Sequence, residues 1–442
     1  MNPNRQGWFR AYIDYRREHP LPARLPTFGV KLLEDTGLHN ESDQAIYFFL
    51  QPTGLLYGAP LDPPFADGGA PLSRFPDRAA RALMIHLEAI MSCLVAERNY
   101  LLAGLGEEAD PLDAAIQILK EYHLHYPPEF RSGQGLVGSL VALLRRGGAD
   151  HAAFEAEFSR RVLVSGNLLL LRTPLANIFL FLDLYHCLLW QRKRLLEGAE
   201  PPGALFEQYR EQMIQREALL KLIVATLYTE QQIGREGWRL VERLLRASLL
   251  PPERQDALRR IAKSGIALED VEVPAMPWLI RRYFLGLIVM TAFLDRKLSE
   301  REQALLAQAV ERLGLWSEEL EQSRAAFATF LLEHGREFSF GHQPNLLNVA
   351  QHLREQASLA ILRNLDRVVR EIKETHELYA LMLKSTRMPL TPEEKRRVRA
   401  QLLDILKTIP ALAIFALPGG GIILPILIRL LPFNLLPSSF ED

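Results

Sequence analysis

The sequence has very little cysteine and no surplus of charge of either sign. Only two cysteines, Cys93 and Cys187, occur among 442 residues, and they form no CxxC pair. Both lie in apolar runs of helical pattern, as is typical of buried free thiols in a reducing compartment. The formal net charge is -1, which gives no indication of a nucleic-acid-binding protein. A hydrophobic content of 48% excludes a disordered chain.

Motifs of the common enzyme and metal sites are also missing. The sequence contains no Walker loop, no GxGxxG after a strand, no HExxH, no GxSxG and no Cys/His spacing of a zinc site. We therefore expect no enzyme activity, no resident metal and no cofactor. The first twenty residues contain four arginines but no apolar h-region, so we expect no cleaved signal peptide.

Strand signals are absent too, whereas long amphipathic runs recur along the whole chain. Neither alternating apolar and polar residues nor an Asn-Gly hairpin occurs. We therefore predict an all-α, multi-helix protein. Breaks in pattern and composition divide it into four regions, namely an N-terminal helical domain (1–197), a helical repeat region (204–335), a long heptad helix (345–385) and a C-terminal apolar segment (391–442).

An internal repeat dominates the second region. The sequence Leu222–Thr226 matches Leu287–Thr291, and 287 minus 222 gives an offset of 65. The same offset relates four further pairs, Tyr228 with Phe293, Glu230 with Asp295, Ile233 with Leu298 and Leu240 with Leu305. Each copy reads as an apolar helix, a short acidic turn and an amphipathic helix, the unit of paired-helix arrays.

The acidic turn of the second copy carries a resemblance. The sequence from Phe293 to Glu302 resembles the acidic turn of tellurite-resistance TerB-like domains, which implies a helical module with a candidate cation site at Asp295 and Glu302. Ser299 and Glu302 also form a capping box, so Glu302 has a structural role available. The first copy has Gly237 where the second has Glu302, which counts against a cation site in both copies.

The run 167–190 is the second most apolar stretch of the chain. It contains Arg172, Asp183 and His186, and an Arg or Asp at mid-bilayer costs about 2.5 to 3.5 kcal/mol. This favours a buried helix of the protein core over a membrane span. Asp183 and His186 share a helical face, where we expect a hydrogen-bonded core pair. A metal site there would need further ligands, for which His123 and His125 are the candidates.

The third region is predicted to be one helix from 345 to about 385. Its apolar positions step by three and four, as in the a/d seam of a coiled coil. The predicted seam consists of Leu362, Leu365, Val369, Ile372, His376, Tyr379 and Leu383. Two interpretations remain open, packing of the seam on the helical body and a coiled-coil partner. His376 is interpreted as a tolerated polar residue of the core.

The last region contains 21 residues, 408–428, without a single charge. At about 1.5 Å per residue this run reaches about the 30 Å of a bilayer core if it stays helical. Helix breakers lie within it, so we predict a broken span that either crosses or re-enters the membrane. The breakers are Pro410, Pro418, Gly419, Gly420, Gly421 and Pro425. Basic residues precede the run, which predicts a cytoplasmic body by the positive-inside rule.

This segment resembles the membrane segment of the LETM family of mitochondrial and bacterial proteins. The resemblance rests on the run 402–410, on Leu424–Pro425 and on 431–440, which includes Pro432, Pro437 and the closing LPSSF. It implies potassium/proton or calcium/proton homeostasis, and ribosome binding through a domain that has no counterpart in these 442 residues. The motifs Gly7–Phe9 and Thr53–Gly58 resemble bacterial LETM-related biofilm-associated proteins more weakly.

Two hypotheses follow. The first is a LETM-like protein anchored in the bacterial inner membrane through 405–436, with its bulk cytoplasmic, the bilayer as its partner, and homo-oligomers and ribosome association as further expectations. It acts in cation homeostasis or as a membrane scaffold. The second is a soluble TerB-like helical interaction module that buries the C-terminal segment in its own fold and has no transport role.

Overall fold

A computed structural model describes residues 5–25, 41–62, 78–103, 110–125, 151–163, 177–198, 202–228, 233–292, 300–334, 346–385, 388, 390–409, 412 and 423–431. Every regular element within these ranges is a helix, and none is a strand. The all-α fold class predicted from the sequence is therefore confirmed. The chain divides into two compact units, unit 1 (Met1–Leu25, Thr53–Leu315 and Phe338–Gly341) and unit 2 (Pro26–Pro52, Trp316–Glu337 and His342–Asp442).

Unit 1 contains ten of the described α-helices, which we number in chain order together with those of unit 2. They are α1 (Trp8–Glu18), α3 (Arg78–Leu101), α4 (Pro111–Leu124), α5 (His151–Val162), α6 (Leu180–Glu197), α7 (Pro202–Leu227), α8 (Arg235–Ala247), α9 (Pro252–Ser264), α10 (Trp278–Ala292) and α11 (Glu300–Arg312). Short 3₁₀ turns occur at Leu55–Tyr57 and Leu268–Asp270. The central helices α3, α4, α6, α7 and α10 pack on one another along the chain.

Local sequence explains where several of these helices begin. Asp110 precedes α4, and its carboxylate accepts a hydrogen bond from the Leu112 N–H at 2.9 Å. Pro111 occupies the first helical position, where the missing N–H would have no helical partner. α9 likewise begins with Pro252. These local features fix the residues at which the helices begin, and tertiary packing then stabilises the rest of each helix.

Helix α3 is the one described helix that is long and apolar enough to cross a membrane. The stretch that meets this test is Ala79–Leu101, and 94% of its apolar window is buried inside the protein. Within unit 1, Glu88 of α3 accepts hydrogen bonds from Tyr12 and Arg16 of α1. The core helix of a soluble protein meets the same test. The span predicted from the sequence over 408–428 lies largely outside the described residues and remains a prediction.

The offset of 65 predicted from the sequence recurs in the helix bounds. α8 and α11 both contain 13 residues, and their first residues, Arg235 and Glu300, are 65 apart. The next helices, α9 and α12 (Ser317–His334), also begin 65 residues apart. Thr226 and Thr291 donate matching hydrogen bonds to the carbonyl four residues earlier, at 2.8 and 2.7 Å. The repeat is thus visible in local structure as well as in sequence.

Unit 2 contains the remaining seven described α-helices. They are α2 (Glu41–Leu50), α12, α13 (Leu346–Arg363), α14 (Leu365–Glu374), α15 (His376–Ser385), α16 (Pro392–Thr408) and α17 (Ile423–Leu430). α16 begins with the predicted capping box, in which the Thr391 side chain and the Glu394 side chain each bond to the other residue's backbone N–H. Side chains from all six helices α12, α13, α14, α15, α16 and α17 form one hydrophobic core.

The single long helix predicted over 345–385 is wrong. The described residues form three helices, α13, α14 and α15, with interruptions at Asn364 and Thr375. Thr375 has φ −86° and ψ 86°, outside the helical region. The side chains of Asn364 and Thr375 bond to the carbonyls of Ala360 and Glu371, both at 2.9 Å. Such side-chain bonds to the preceding turn often accompany a bend in a helix.

The interruptions also move the buried face away from the predicted seam. Leu362 and Leu383 are 52% and 45% exposed, and His376 is exposed rather than in the core. Ile372 is the one fully buried residue that the prediction had placed correctly. The buried positions are Ala357, Ile361, Val368, Ile372, Leu378 and Met382. The buried residues Ile372 and Leu378 are six positions apart, rather than the seven of a heptad repeat, because the helix is interrupted between them.

The described parts of the C-terminal apolar run lie in the core of unit 2. Leu406 of α16, Leu412, and Ile423 and Leu427 of α17 are each fully buried in one cluster. α17 packs against α13 and α16. With eight residues it is about 12 Å long, which is too short to cross a bilayer core of about 30 Å. Pro425 fits in its first turn, where no N–H partner is required.

Candidate functional site at Asp183

Asp183, in the first turn of α6, is the centre of a buried cluster of polar side chains. Its side chain is buried, and three donors converge on Oδ1. The guanidinium groups of Arg161 in α5 and Arg216 in α7 lie 2.7 and 2.5 Å from this oxygen. The side-chain amide of Gln212 donates to it at 2.7 Å. Asp183 therefore joins three helices through charge-assisted hydrogen bonds.

Helix α7 supplies this centre with a stripe of polar side chains. Gln208, Gln212, Gln215 and Arg216 recur at intervals of four, three and one, so they share one helical face. Gln215 Oε1 lies 2.8 Å from His186 Nε2, and the Gln208 amide donates to the His186 carbonyl. The interface between α6 and α7 is thus buried and yet polar, with each contact made by a specific partner.

The charge states at the centre follow from burial and from the two arginines. Burial on its own raises the pKa of Asp183, but Arg161 and Arg216 outweigh it and hold the pKa well below its usual range. Asp183 is therefore ionised at neutral pH. Burial lowers the pKa of His186 to about 4, against the opposing hydrogen bond to Gln215. His186 is accordingly neutral, and its Nε2–H donates to the Gln215 oxygen.

Two further histidines lie beside this centre, on α3 and α4. The ring of His86 stacks on Phe158 with centroids 5.4 Å apart, and His123 lies 5.1 Å from the same ring. Burial lowers the pKa of His86 to about 4, and it lowers that of His123 well below its usual value. His123 Nδ1 contacts the Leu119 carbonyl at 2.8 Å. Both rings therefore pack as neutral aromatic groups.

The predicted hydrogen bond between Asp183 and His186 is not what the structure shows. The two residues do share a buried face of α6, but Asp183 bonds to Arg161, Arg216 and Gln212, whereas His186 bonds to Gln215. The reason is that two guanidinium groups compete for the carboxylate more strongly than a neutral imidazole does. The prediction had the right helix face and buried location but the wrong partners.

The histidines proposed as extra metal ligands are held by their own helix. His123 and His125 contact the carbonyls of Leu119 and Glu121 at 2.8 and 2.9 Å, and His125 is exposed. The described ranges contain no group of three or more His, Cys, Asp or Glu side chains that could hold a metal ion. At the Asp183 centre, two arginine side chains already bind the carboxylate that a metal ion would need.

Most of the other predicted site residues lie outside the described residues. These are Asp295, Pro410, Pro418, Gly419, Gly420, Gly421, Pro432 and Pro437, together with Arg172. Glu302 is described, and it is buried in the first turn of α11 with 8% of its surface exposed. The cation site proposed at Asp295 and Glu302 remains a prediction.

The motifs Gly7–Phe9 and Thr53–Gly58 both have structural roles in unit 1. The carboxylate of Glu155 accepts hydrogen bonds from the backbone N–H groups of Gly7 and Phe9, at 2.9 and 2.8 Å. Gly58 has a φ of +66°, and a Cβ on it would lie 2.7 Å from the backbone nitrogen of Ile178. These motifs fix the first helix of the unit and the start of α6.

Arg161, Arg216 and Gln212 were missed by the sequence reasoning. A signal for Gln212 and Arg216 was nonetheless present, since Gln208, Gln212, Gln215 and Arg216 form a polar stripe within a helix that is otherwise apolar on that side. No family model, curated protein or solved structure matches this chain. The site must therefore be interpreted from its own chemistry.

That chemistry is structural rather than catalytic. Asp183 is 3% exposed and Arg216 is fully buried, so neither group meets solvent or a diffusing substrate. A carboxylate held ionised by two guanidinium groups is a poor general base, because its low pKa leaves it little affinity for a proton. The arrangement instead locks α5, α6 and α7 together through charge-assisted hydrogen bonds.

Proposed function

We propose that this chain is a helical interaction module, with a polar-locked helical body and a second unit that folds the C-terminal apolar segment into its own core. The observation that carries the proposal is the burial of Ile423 and Leu427 of α17 beside Leu406 of α16. An apolar segment with protein partners on its buried face has less need of lipid. The centre at Asp183 is buried and so presents no accessible catalytic group, which favours an interaction module over an enzyme.

The internal repeat also supports this function. Paired helices that recur at a fixed offset build extended surfaces used for protein contacts. Helices α8 and α11 begin 65 residues apart and have equal length, and the sequence of the turn before α11 resembles that of TerB-like domains. On this proposal the repeat forms the binding body and has no transport role.

Fractionation of cells that express the full chain tests this proposal. The expected result is recovery in the soluble fraction, or release from membranes by an alkaline wash, because α17 and the end of α16 bury their apolar side chains against protein. A full-length chain that stays in the membrane pellet after the alkaline wash would contradict the proposal.

A second candidate is the LETM-like function, with the bilayer as partner and a role in cation homeostasis or as a membrane scaffold. The uncharged run 408–428 and the closing LPSSF favour it. Because the run carries no titratable side chain, ion passage would need freed carbonyls in an oligomer, with Gly420 at the contact. This candidate predicts that the chain carries cations across liposome membranes and forms oligomers that can be crosslinked. Loss of both the flux and the oligomers in Gly420→Leu would support it. Location in the bacterial inner membrane and ribosome association belong to the same candidate.

A further inference from the structure

Helices α15 and α16 of unit 2 form an antiparallel hairpin. Glu377 of α15 contacts Arg397 and Gln401 of α16 at 3.4 and 2.9 Å, while Lys384 lies 2.6 Å from Glu394. The earlier residue of α15 thus contacts the later residues of α16, and the later residue of α15 contacts the earlier residue of α16. The Lys384–Glu394 ion pair therefore marks the closed end of the hairpin.

Two large apolar side chains are exposed at this closed end. Leu383 is 45% exposed and Met388 is 54% exposed. Their neighbours Met382 and Leu390 are buried in the core of unit 2, at 0% and 5% exposure. The core thus holds the backbone on both sides of the corner, and Leu383 and Met388 remain at the surface. We call the residues Leu383, Met388, Arg396 and Arg399 the hairpin corner.

Basic residues follow directly in the first two turns of α16. Four basic residues, Lys395, Arg396, Arg397 and Arg399, outnumber the two carboxylates of these turns, Glu393 and Glu394. Glu377 of α15 adds a third carboxylate, beside Arg397. Glu394 is already engaged, because it bonds to Lys384 and to the Thr391 N–H. The side chains of Arg396 and Arg399 are exposed. The corner therefore combines exposed apolar groups with a local excess of positive charge.

We infer that the hairpin corner docks on the surface of an anionic lipid bilayer. Leu383 and Met388 insert among the headgroups, while Arg396 and Arg399 contact lipid phosphates. A nucleic acid would use the charges but gains nothing from Leu383 and Met388, and no aromatic residue for base stacking occurs between 383 and 399. This inference rests on the proposed function, since it names the partner of a reversibly associating module.

The first test is cosedimentation of the full chain with vesicles. Phosphatidylcholine vesicles that contain phosphatidylglycerol are expected to pellet the chain at about 0.1 M salt, whereas pure phosphatidylcholine vesicles are not. Raising the salt to about 0.5 M is expected to release it, because exposed charges are then screened. Equal binding to both kinds of vesicle would contradict the inference.

Variants then locate the contact. Arg396→Glu with Arg399→Glu is expected to weaken binding at least ~30-fold, because each basic residue near an anionic surface contributes about 1 kcal/mol. Met388→Glu, a single change at an exposed site, is expected to weaken it as well. The matched controls Arg363→Glu with Arg367→Glu, and Leu362→Glu, alter exposed residues of the same unit that lie outside the α15–α16 hairpin, and they are expected to bind like the parent. Melting temperatures show whether each variant is folded.

Each remaining outcome overturns the inference in a distinguishable way. A soluble chain that does not bind anionic vesicles, or corner variants that bind like the controls, would refute the docking but leave the proposed function intact. Binding to polyuridylate that Met388→Glu leaves unchanged would identify a polyanion site instead. A chain that stays in the membrane pellet after alkaline wash, with every variant alike, would refute both the docking and the proposed function.

Discussion

Buried charge is what distinguishes unit 1 at the scale of single residues. The carboxylates of Glu88, Glu155 and Asp183 are all buried, and each accepts hydrogen bonds from specific donors. Removing one member of a buried ion pair is costly because the other charge is left without compensation. These groups therefore specify which helices pack together, although a well-packed apolar core of the same volume could be as stable.

Asp183→Asn is the sharpest test of the ionic lock. Removing this charge leaves the buried guanidinium groups of Arg161 and Arg216 without their carboxylate, so we expect a loss of about 3 to 5 kcal/mol in the free energy of unfolding. A urea titration measures it. The control Asp113→Asn breaks an exposed pair with Arg17, both 57% exposed, and should cost less than about 1 kcal/mol. Similar costs for the two variants would refute the lock.

The buried histidines predict that acid destabilises unit 1. The pKa values of His86 and His186 are lowered to about 4, below the value of about 6.5 in an unfolded chain. Below pH about 6.5 the unfolded chain takes up protons that the folded chain does not, so stability falls until about pH 4. Each histidine contributes about 3 kcal/mol to this fall. Above that window these two residues give no pH dependence.

Urea titrations at a series of pH values measure this fall, and His86→Phe should make it shallower. Phenylalanine keeps the ring stacked on Phe158 but cannot take up a proton. The lowered pKa of Asp183 acts only at more acidic pH, below the unfolded value of about 3.9, where its stabilising effect is lost. Equal stability at pH 7 and pH 5 would show that the histidines are not buried as described.

Gly58→Ala is expected to destabilise unit 1 by at least about 1 kcal/mol. The residue has a φ of +66°, and a Cβ would lie within 2.9 Å of the backbone of Asn177 and Ile178. Gly203→Ala is the control, because a Cβ there meets nothing within 4 Å. Differential scanning calorimetry should show a lower melting temperature for Gly58→Ala alone. A Gly58→Ala chain as stable as the control would mean that the turn does not pack as described.

Single residues were the hardest feature to predict from the sequence. A lone Asp and His in an apolar run indicated a buried polar site, but their partners are 22 to 33 residues away along the chain. Which arginine meets which carboxylate depends on how three helices pack, and helical periodicity carries no information about that.

Helices were predicted well where local rules decide them. The capping box at Thr391 and the repeat offset of 65 both recur in the described helices. The long helix over 345–385 failed at Asn364 and Thr375, ordinary helix residues by propensity, where the backbone leaves the helical conformation. An apolar pattern that steps by three and four does not reveal such interruptions, since it continues through them.

Adjacent residues of α13 test the corrected buried face. Ile361→Ala is expected to destabilise unit 2 by about 2 to 5 kcal/mol, because Ile361 is fully buried. Leu362→Ala is expected to change stability by less than about 0.5 kcal/mol, because Leu362 is 52% exposed. Hydrogen exchange of the amides of unit 2 measures both. A larger effect at Leu362 would restore the seam predicted from the sequence.

The whole molecule consists of two units that use different means to bury their helices. Unit 1 combines an apolar core with ion pairs, whereas the core of unit 2 is formed by aliphatic side chains of α12 to α17. Composition and periodicity predicted the helical class of both. They could not predict whether an apolar segment meets lipid or protein, since both environments favour the same side chains.

The measurement that tests this account most directly is hydrogen exchange of the backbone amides of Ile423–Leu430 in the full chain, purified without detergent. Because Ile423 and Leu427 are fully buried in the same core as Leu402 and Leu406 of α16, we expect α17 to exchange as slowly as α16. Exchange of α17 at the rate of an unstructured peptide while α16 stays protected, or a chain that cannot be kept in solution without detergent, would contradict the account.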